Sequence, residues 1–223
     1  MMESSSWIRK MFEEGARLKE MHGREKVYDF SLGNPNLEPP DPFREVLLDN
    51  INDETPHRHA YMPNAGYPHV RAALAERVSR EQGVAVGADQ VIMTSGAGGG
   101  LNVVLKTLLN PGDEVICPVP YFIEYRFYAD NHGGRLVPVP SREDFEPDVG
   151  AIEEALSNKT AAVMINSPNN PSGHIISEGS IASLAGLLTR KSRETGRTIY
   201  LIGDEPYRRI VYDGAVVPSV FSY

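Results

Sequence analysis

Apolar positions along the chain form two kinds of run. Between residues 4 and 21, Ile8, Met11, Phe12 and Leu18 recur at near-helical spacing before Gly23. That predicts an amphipathic helix over 4–21 which the glycine stops. The stretch opening at Tyr28 is strand-like and breaks at Gly33 and Asn34-Pro35. Asp41-Pro42 has a helix-start signature, and Phe43, Val46, Leu47 and Ile51 give that helix one apolar face. Residues 61–68, dense in turn formers and aromatics, precede a helix over 68–82 that Gly83 ends.

From Gln90 the alternation becomes regular. Strand-like residues 91–94 run into Ser95-Gly-Ala-Gly-Gly-Gly100 and a helix through Leu109. Strands over 114–117, 135–139, 160–165 and 198–204 alternate with helices over 121–131, 149–156 and 178–193. Strands and helices alternating at these lengths mean βαβ units and an α/β fold with a mainly parallel sheet. With no internal repeat and no linker-like shift in composition, the chain from roughly Val70 onward reads as one domain, the first sixty residues wrapped against it.

Composition narrows the class. The 223 residues are 41% hydrophobic and 23% charged, as in an ordinary globular protein without long disorder. A formal net charge of −8 argues against a nucleic-acid or anionic-membrane partner, since either needs a basic face. Arg190-Lys-Ser-Arg193 reads as the solvated end of a helix. The lone Cys117 excludes an internal disulfide and, within Glu114-Val-Ile-Cys117, is expected as a buried packing residue. No stretch has signal-peptide or membrane-span character and no metal-ligand set stands out, so a cytoplasmic, metal-free protein is expected.

Two places carry candidate chemistry. The apolar run 198–203 stops on Asp204-Glu205, which sets Asp204 at the carboxyl end of a buried strand, where open α/β sheets bind their ligands. The same aspartate could simply cap the turn at Pro206. Between a strand and a helix, Gly96, Ala97 and Gly98 expose backbone N–H groups at a positive helix end, suited to an anion such as phosphate. Neither a dinucleotide fingerprint nor a P-loop is present: Leu101 stands where the first needs glycine, and no Gly-Lys-Ser/Thr occurs. Close packing alone would also explain the glycines.

Four signals follow one another: the glycine segment, Pro120-Tyr121, Asn169-Asn-Pro-Ser-Gly173 and Gly203-Asp-Glu-Pro-Tyr207. Together they resemble the class I/II aminotransferases, pyridoxal-phosphate enzymes of the aspartate aminotransferase fold, from Ser31-Leu-Gly-Asn-Pro to the end of the chain. The resemblance implies a three-layer α/β/α large domain over 61–223, preceded by an arm and small-domain segment over 1–60. It implies that Gly96, Ala97 and Gly98 hold the cofactor phosphate and that Tyr121 stacks on the pyridine ring. Asn170 and Tyr207 would share the ring's phenolic oxygen, and Asp204 would face the ring nitrogen. Gly33 and Asn170 would line the substrate side, and Tyr61 would reach the partner subunit's cofactor phosphate in a homodimer. The reaction implied moves an amino group from an amino acid to a 2-oxo acid. The same residues would serve a carbon–sulfur or other β/γ-eliminating lyase, or a non-catalytic cofactor binder. One departure stands out: the family's Schiff-base lysine lies beyond the Asp-Glu-x-Tyr segment, and Lys10, Lys19, Lys26, Lys106, Lys159 and Lys191 all have the wrong context. The expectation is therefore a truncated chain that does not transaminate by itself.

Overall fold

The structure is a computed structural model and describes residues 7–30, 33 and 37–223. Ser4, Ser31, Leu32 and Asn34-Pro-Asn36, which entered the sequence reading, lie outside the described residues. The chain divides into two compact units, Met1–Tyr61 and Met62–Tyr223.

The first unit has helices α1 (Trp7–His22) and α2 (Asp41–Asn52). In α2, Pro40 is the N-cap and Asp41 and Pro42 open the helix, so the proline sits where its missing N–H costs nothing. Its apolar face, Phe43, Val46, Leu47 and Ile51, is exposed. The strand expected from Tyr28 does not form: residues 27–30 have no regular structure. A strand exists only through partner hydrogen bonds, and an apolar Tyr28–Phe30 pattern does not supply the partner.

The second unit follows the expected alternation. Helices α3 (Pro68–Gln82) and α4 (Gly96–Leu108) lead to β1 (Glu114–Pro118), then α5 (Glu124–Asp130), β2 (Arg135–Val139), α6 (Val149–Ala155), β3 (Thr160–Asn166), α7 (Glu178–Thr195) and β4 (Tyr200–Asp204). Helix α3 ends where Gly83, at φ 68°, donates its N–H to the Ser79 carbonyl. Among the described residues the sheet has four parallel strands in the order β2-β1-β3-β4. The chain leaves β1 toward β2 on one side and reaches β3 and β4 on the other, which puts the switch point between β1 and β3.

The sheet is covered on both faces. Alternate residues of β1 and β3 divide between two cores, as the period of two requires. Val115, Cys117, Ala162 and Met164 pack with Leu101 and Leu105 of α4 and Tyr125 of α5. Ile116, Val163 and Ile165 pack with Ile152 of α6 and Ile181, Leu184, Leu187 and Leu188 of α7. Every residue of β3 is buried, which is why it reads as an unbroken apolar run. Each fully buried aliphatic chain contributes about 1.5–3 kcal/mol. Cys117 is 2% exposed and free, a packing residue as expected, and burial drives its thiol pKa far up. No helix among the described residues is long and apolar enough to cross a membrane.

In the second unit three expected elements differ. Residues 91–94 are not a strand; Val91 is extended, but these residues bond elsewhere, Met93 N–H to the Ala65 carbonyl. Helix α5 begins at Glu124 rather than Tyr121, leaving Tyr121 and Phe122 in the loop after β1. The glycine stretch is not a loop ahead of α4 but its first turn, starting at Gly96.

Candidate active site

The site is built at the carboxyl ends of β1, β3 and β4. Strands β3 and β4 are in register from Ala162 with Tyr200 to Asn166 with Asp204, so these last two residues lie side by side where both strands stop. The Asn166 amide uses both ends. Its Nδ2 donates to the Asp204 carbonyl at 2.9 Å, and its Oδ1 accepts the Asn170 N–H at 2.6 Å. That fixes the start of the loop following β3 to the end of β4.

The rest of the loop is held by Asn169. Its Oδ1 accepts from the Ser172 N–H at 3.1 Å and the Ser172 hydroxyl at 2.9 Å, and its Nδ2 donates to the Pro120 carbonyl at 3.2 Å. The Asn-Pro-Ser-Gly segment and the Pro120-Tyr121 segment are thereby one piece. Asn170 is left to reach outward, its Nδ2 donating to the Tyr207 hydroxyl at 3.3 Å. Tyr207 lies in the turn after β4, which Arg208 and Glu205 brace through a 3.0 Å ion pair. Burial raises the Glu205 carboxyl above its usual range, with Arg208 opposing.

Asp204 is 9% exposed, and its Oδ2 accepts a 2.5 Å hydrogen bond from the hydroxyl of Tyr125, which is wholly buried. Burial raises the Asp204 carboxyl above the ordinary carboxylate value, and the Tyr125 bond pulls partly the other way. Burial and then the Asp204 bond push the Tyr125 phenol far up, so it stays protonated and donates. Tyr121 stacks beside Tyr125, its ring 6.5 Å from that of Tyr125 and 16° from parallel. Phe122 meets Tyr125 edge-on at 5.6 Å.

Helix α4 packs in the same layer as α5, with Asn102 Oδ1 and His132 Nε2 3.1 Å apart. Its first turn is almost side-chain free. A Cβ on Gly98 would come 3.0 Å from the Tyr128 hydroxyl oxygen, and one on Gly100 3.2 Å from Thr94 Oγ1. Each interior glycine costs about 1 kcal/mol relative to alanine, so these close approaches justify their presence. Ser95 is the N-cap but makes no side-chain cap bond. The first-turn N–H groups of a helix have no intrahelical acceptor, so Ala97 and Gly98 present donors to an anion.

Gly96, Ala97, Gly98, Tyr121, Asn170, Asp204 and Tyr207 thus all belong to the second unit. Tyr61, fully exposed, and Gly33 belong to the first and are described with that unit alone. Two residues of the site, Tyr125 and Asn166, were not anticipated from the sequence. Asn166 had a signal, a polar residue ending the apolar run of β3; Tyr125 had none, being one more aromatic in an amphipathic helix. The lysines of this unit stand elsewhere. Lys106 is in the last turn of α4, Lys159 precedes β3, and Lys191 on α7 pairs with Glu153 and Glu194, each at 3.2 Å. Among the described residues no cluster of His, Cys, Asp or Glu is placed to hold a metal.

The donor set suits a flat, aromatic, anionic ligand. It offers N–H groups at an open helix start, an aromatic face, an amide–phenol pair, and a buried carboxylate with one oxygen engaged. These are the features required to hold pyridoxal phosphate.

Comparison with known proteins gives the lineage. The family described as aminotransferase class I and II matches residues 25–220. An aminotransferase structure from Eubacterium rectale superposes with a TM-score of 0.92 at 42% identity, covering 98% of this chain and 56% of that one. The aspartate aminotransferase of Pyrococcus horikoshii is 31% identical over 212 residues, 94% of this chain and 50% of its own length. The arginine–pyruvate transaminase of Pseudomonas aeruginosa is 30% identical over 223 residues, 96% of this chain and 54% of its own. The chain spans about half the length of the curated relatives it matches. With the family matched over nearly all its residues and a three-layer fold that superposes this closely, the chain belongs to the class I and II aminotransferases, a family of pyridoxal-phosphate-dependent enzymes.

Proposed function

We propose that this chain supplies the cofactor-holding part of an enzyme that moves an amino group from an amino acid to a 2-oxo acid. The observation that supports this reading best is the convergence at the ends of β3 and β4: a buried Asp204 beside an Asn170–Tyr207 pair that a ring oxygen can enter. When bound, pyridoxal phosphate supplies a protonated pyridine ring that accepts the electron pair left by the departing α-proton of the amino acid.

The chain's own residues do the rest. Gly96, Ala97 and Gly98 bind the phosphate through backbone N–H groups. Tyr121 sets the ring plane, and Asn170 and Tyr207 donate to the ring's phenolic oxygen. Asp204 keeps the proton on the ring nitrogen, which an exposed, neutral side chain would not do. Asn170 and Gly33 line the amino-acid side, and Tyr61 serves the phosphate of a partner subunit in a homodimer. Lys106 in the last turn of α4, Lys159 before β3 and Lys191, paired with Glu153 and Glu194, are not on the segments that carry Tyr121, Asn170, Asp204 and Tyr207, and on this reading the chain holds the cofactor without a covalent link and does not transaminate alone.

The test is a titration of the chain with pyridoxal phosphate, followed by absorbance. Asp204→Ala should weaken binding about ten- to a hundredfold, the worth of a charge-assisted hydrogen bond. Asp204→Asn should lose less. Borohydride treatment and peptide mass analysis should find no lysine carrying the reduced cofactor. Unchanged affinity in both variants would overturn the role of Asp204, and an adduct on one specific lysine with turnover would overturn the non-covalent reading.

A further inference from the structure

Asp204 has two oxygens in different situations. Oδ2 accepts from Tyr125. Oδ1 has no hydrogen bond from the described residues, yet it is not among the buried polar atoms left without a partner, so it keeps some exposure and is free to accept a donor. A carboxylate at the end of a strand can turn about its last side-chain bond, and only a fixed partner on one oxygen decides where the other points. Tyr125 is that partner. It comes from α5, its ring meets Tyr121 near-parallel at 6.5 Å and Phe122 edge-on at 5.6 Å, and its side chain is completely buried, so packing restrains it from following Asp204 elsewhere.

We propose that Tyr125 is a positioning residue: its hydroxyl holds Oδ2 of Asp204 so that Oδ1 is presented to the ring nitrogen of the cofactor. The proposal rests on the cofactor reading above. The bond has a second effect of the same sign. A donor on Oδ2 stabilises the ionised carboxylate and lowers its hold on a proton, so the shared proton stays on the ring. The other titratable groups around the pair are Cys117 on β1, Tyr128 on α5, and Glu205 and Tyr207 after β4; Cys117 and Tyr128 are protonated at neutral pH, and Glu205 is engaged by Arg208 and Gln82. None of them makes a hydrogen bond to the Asp204 carboxylate in the described structure.

The experiment is a double-mutant cycle on the chain, read two ways: pyridoxal-phosphate affinity, and the titration of Asp204 followed by carbon NMR with labelled aspartate and no cofactor. Tyr125→Phe should raise the Asp204 titration and weaken binding about three- to tenfold, while in an Asp204→Asn background the same change should leave affinity unmoved. Tyr125→3-fluorotyrosine keeps the hydroxyl and the fold and makes it a stronger donor, so it should shift the titration downward. Phe122→Leu disturbs packing on the same ring without removing the hydroxyl and should leave the titration in place. An equal loss from Tyr125→Phe with and without Asp204 would show a packing role and overturn the proposal, as would a titration insensitive to both changes at Tyr125. Wild-type affinity in Asp204→Asn overturns the cofactor reading beneath it, while the cofactor-free titration still reports whether Tyr125 grips the carboxylate.

Discussion

Asn166 shows how much of a site can rest on a residue that touches no ligand. Its side chain joins the last carbonyl of β4 to the Asn170 N–H in the loop after β3, in a place that is 4% exposed. Asn166→Ala would remove the acceptor of the half-buried Asn170 N–H and one of the two donors to the Asp204 carbonyl, the Ser167 N–H remaining at 3.3 Å, at about 1–3 kcal/mol in all. The expected result is a lower denaturation midpoint with an unchanged slope, together with weaker cofactor binding because Asn170 and Asp204 lose their common anchor. An unaltered midpoint would show that the two segments hold their places without it. A second expectation concerns pH. In the free chain Asp204 titrates above the ordinary carboxylate value because it is buried, and a cationic ring nitrogen favours its ionised form. Affinity should therefore be full above the free-chain value and fall as pH drops through it, and this component should vanish in Asp204→Asn. Binding curves measured across the acid range in both proteins decide it. The position of Asp204 was legible in the sequence because it ends an apolar run that marks a strand, whereas Asn170 and Tyr207 came only with the resemblance carried by Asn169-Asn-Pro-Ser-Gly173 and Gly203-Asp-Glu-Pro-Tyr207. Tyr125 and Asn166 were not, because what defines them are bonds to a residue 79 and 38 positions away.

At the scale of elements, sequence pattern worked where the element makes its own hydrogen bonds or lies deep in the sheet. Strand β2 and helix α3 appear at their expected bounds, and β3 differs by one residue. It failed where a neighbour decides. Residues 91–94 have strand composition but no ladder partner among the described residues, and the loop before α5 is held open by the Asn169 bond to Pro120. The opposite edge of the sheet, at the amino ends, has its own fastener: Asp113, just before β1, accepts from Arg197 at 2.6 Å and from the Asn110 N–H at 2.9 Å. Burial works against the Asp113 carboxylate, but the Asn110 and Arg197 bonds outweigh it and hold its pKa low. A depressed carboxylate contributes stability that is complete above its unfolded value, about 4, and is lost as pH falls through the lower folded value. Asp113→Asn should cost about 1–3 kcal/mol at neutral pH and flatten the acid side of the stability profile. Thermal melts of both proteins from neutral pH to pH 3 would expose a discrepancy.

For the molecule as a whole, the two compact units carry different surfaces. The first exposes the apolar face of α2 and the ring of Tyr61, the residue we assign to a partner's site. In an active homodimer that contains this chain, mixing Tyr61→Phe subunits with subunits inactivated at Asp204 should give activity that depends on how the two lesions are shared between sites. Activity that follows only the fraction of intact Asp204 subunits would remove Tyr61 from the neighbouring site. The second unit draws its site from far-apart parts of the chain, Tyr125 meeting Asp204 and Asn170 meeting Tyr207 across separations of 79 and 37 residues. No short stretch can reproduce that arrangement, so the ligand has nothing to bind until β1, β3 and β4 have assembled. Binding energy is then folding energy, and free cofactor at a hundred times its dissociation constant adds about 2.7 kcal/mol to the native state. The cofactor's absorbance becomes a gauge of how many chains in a preparation are folded, readable without any turnover at all.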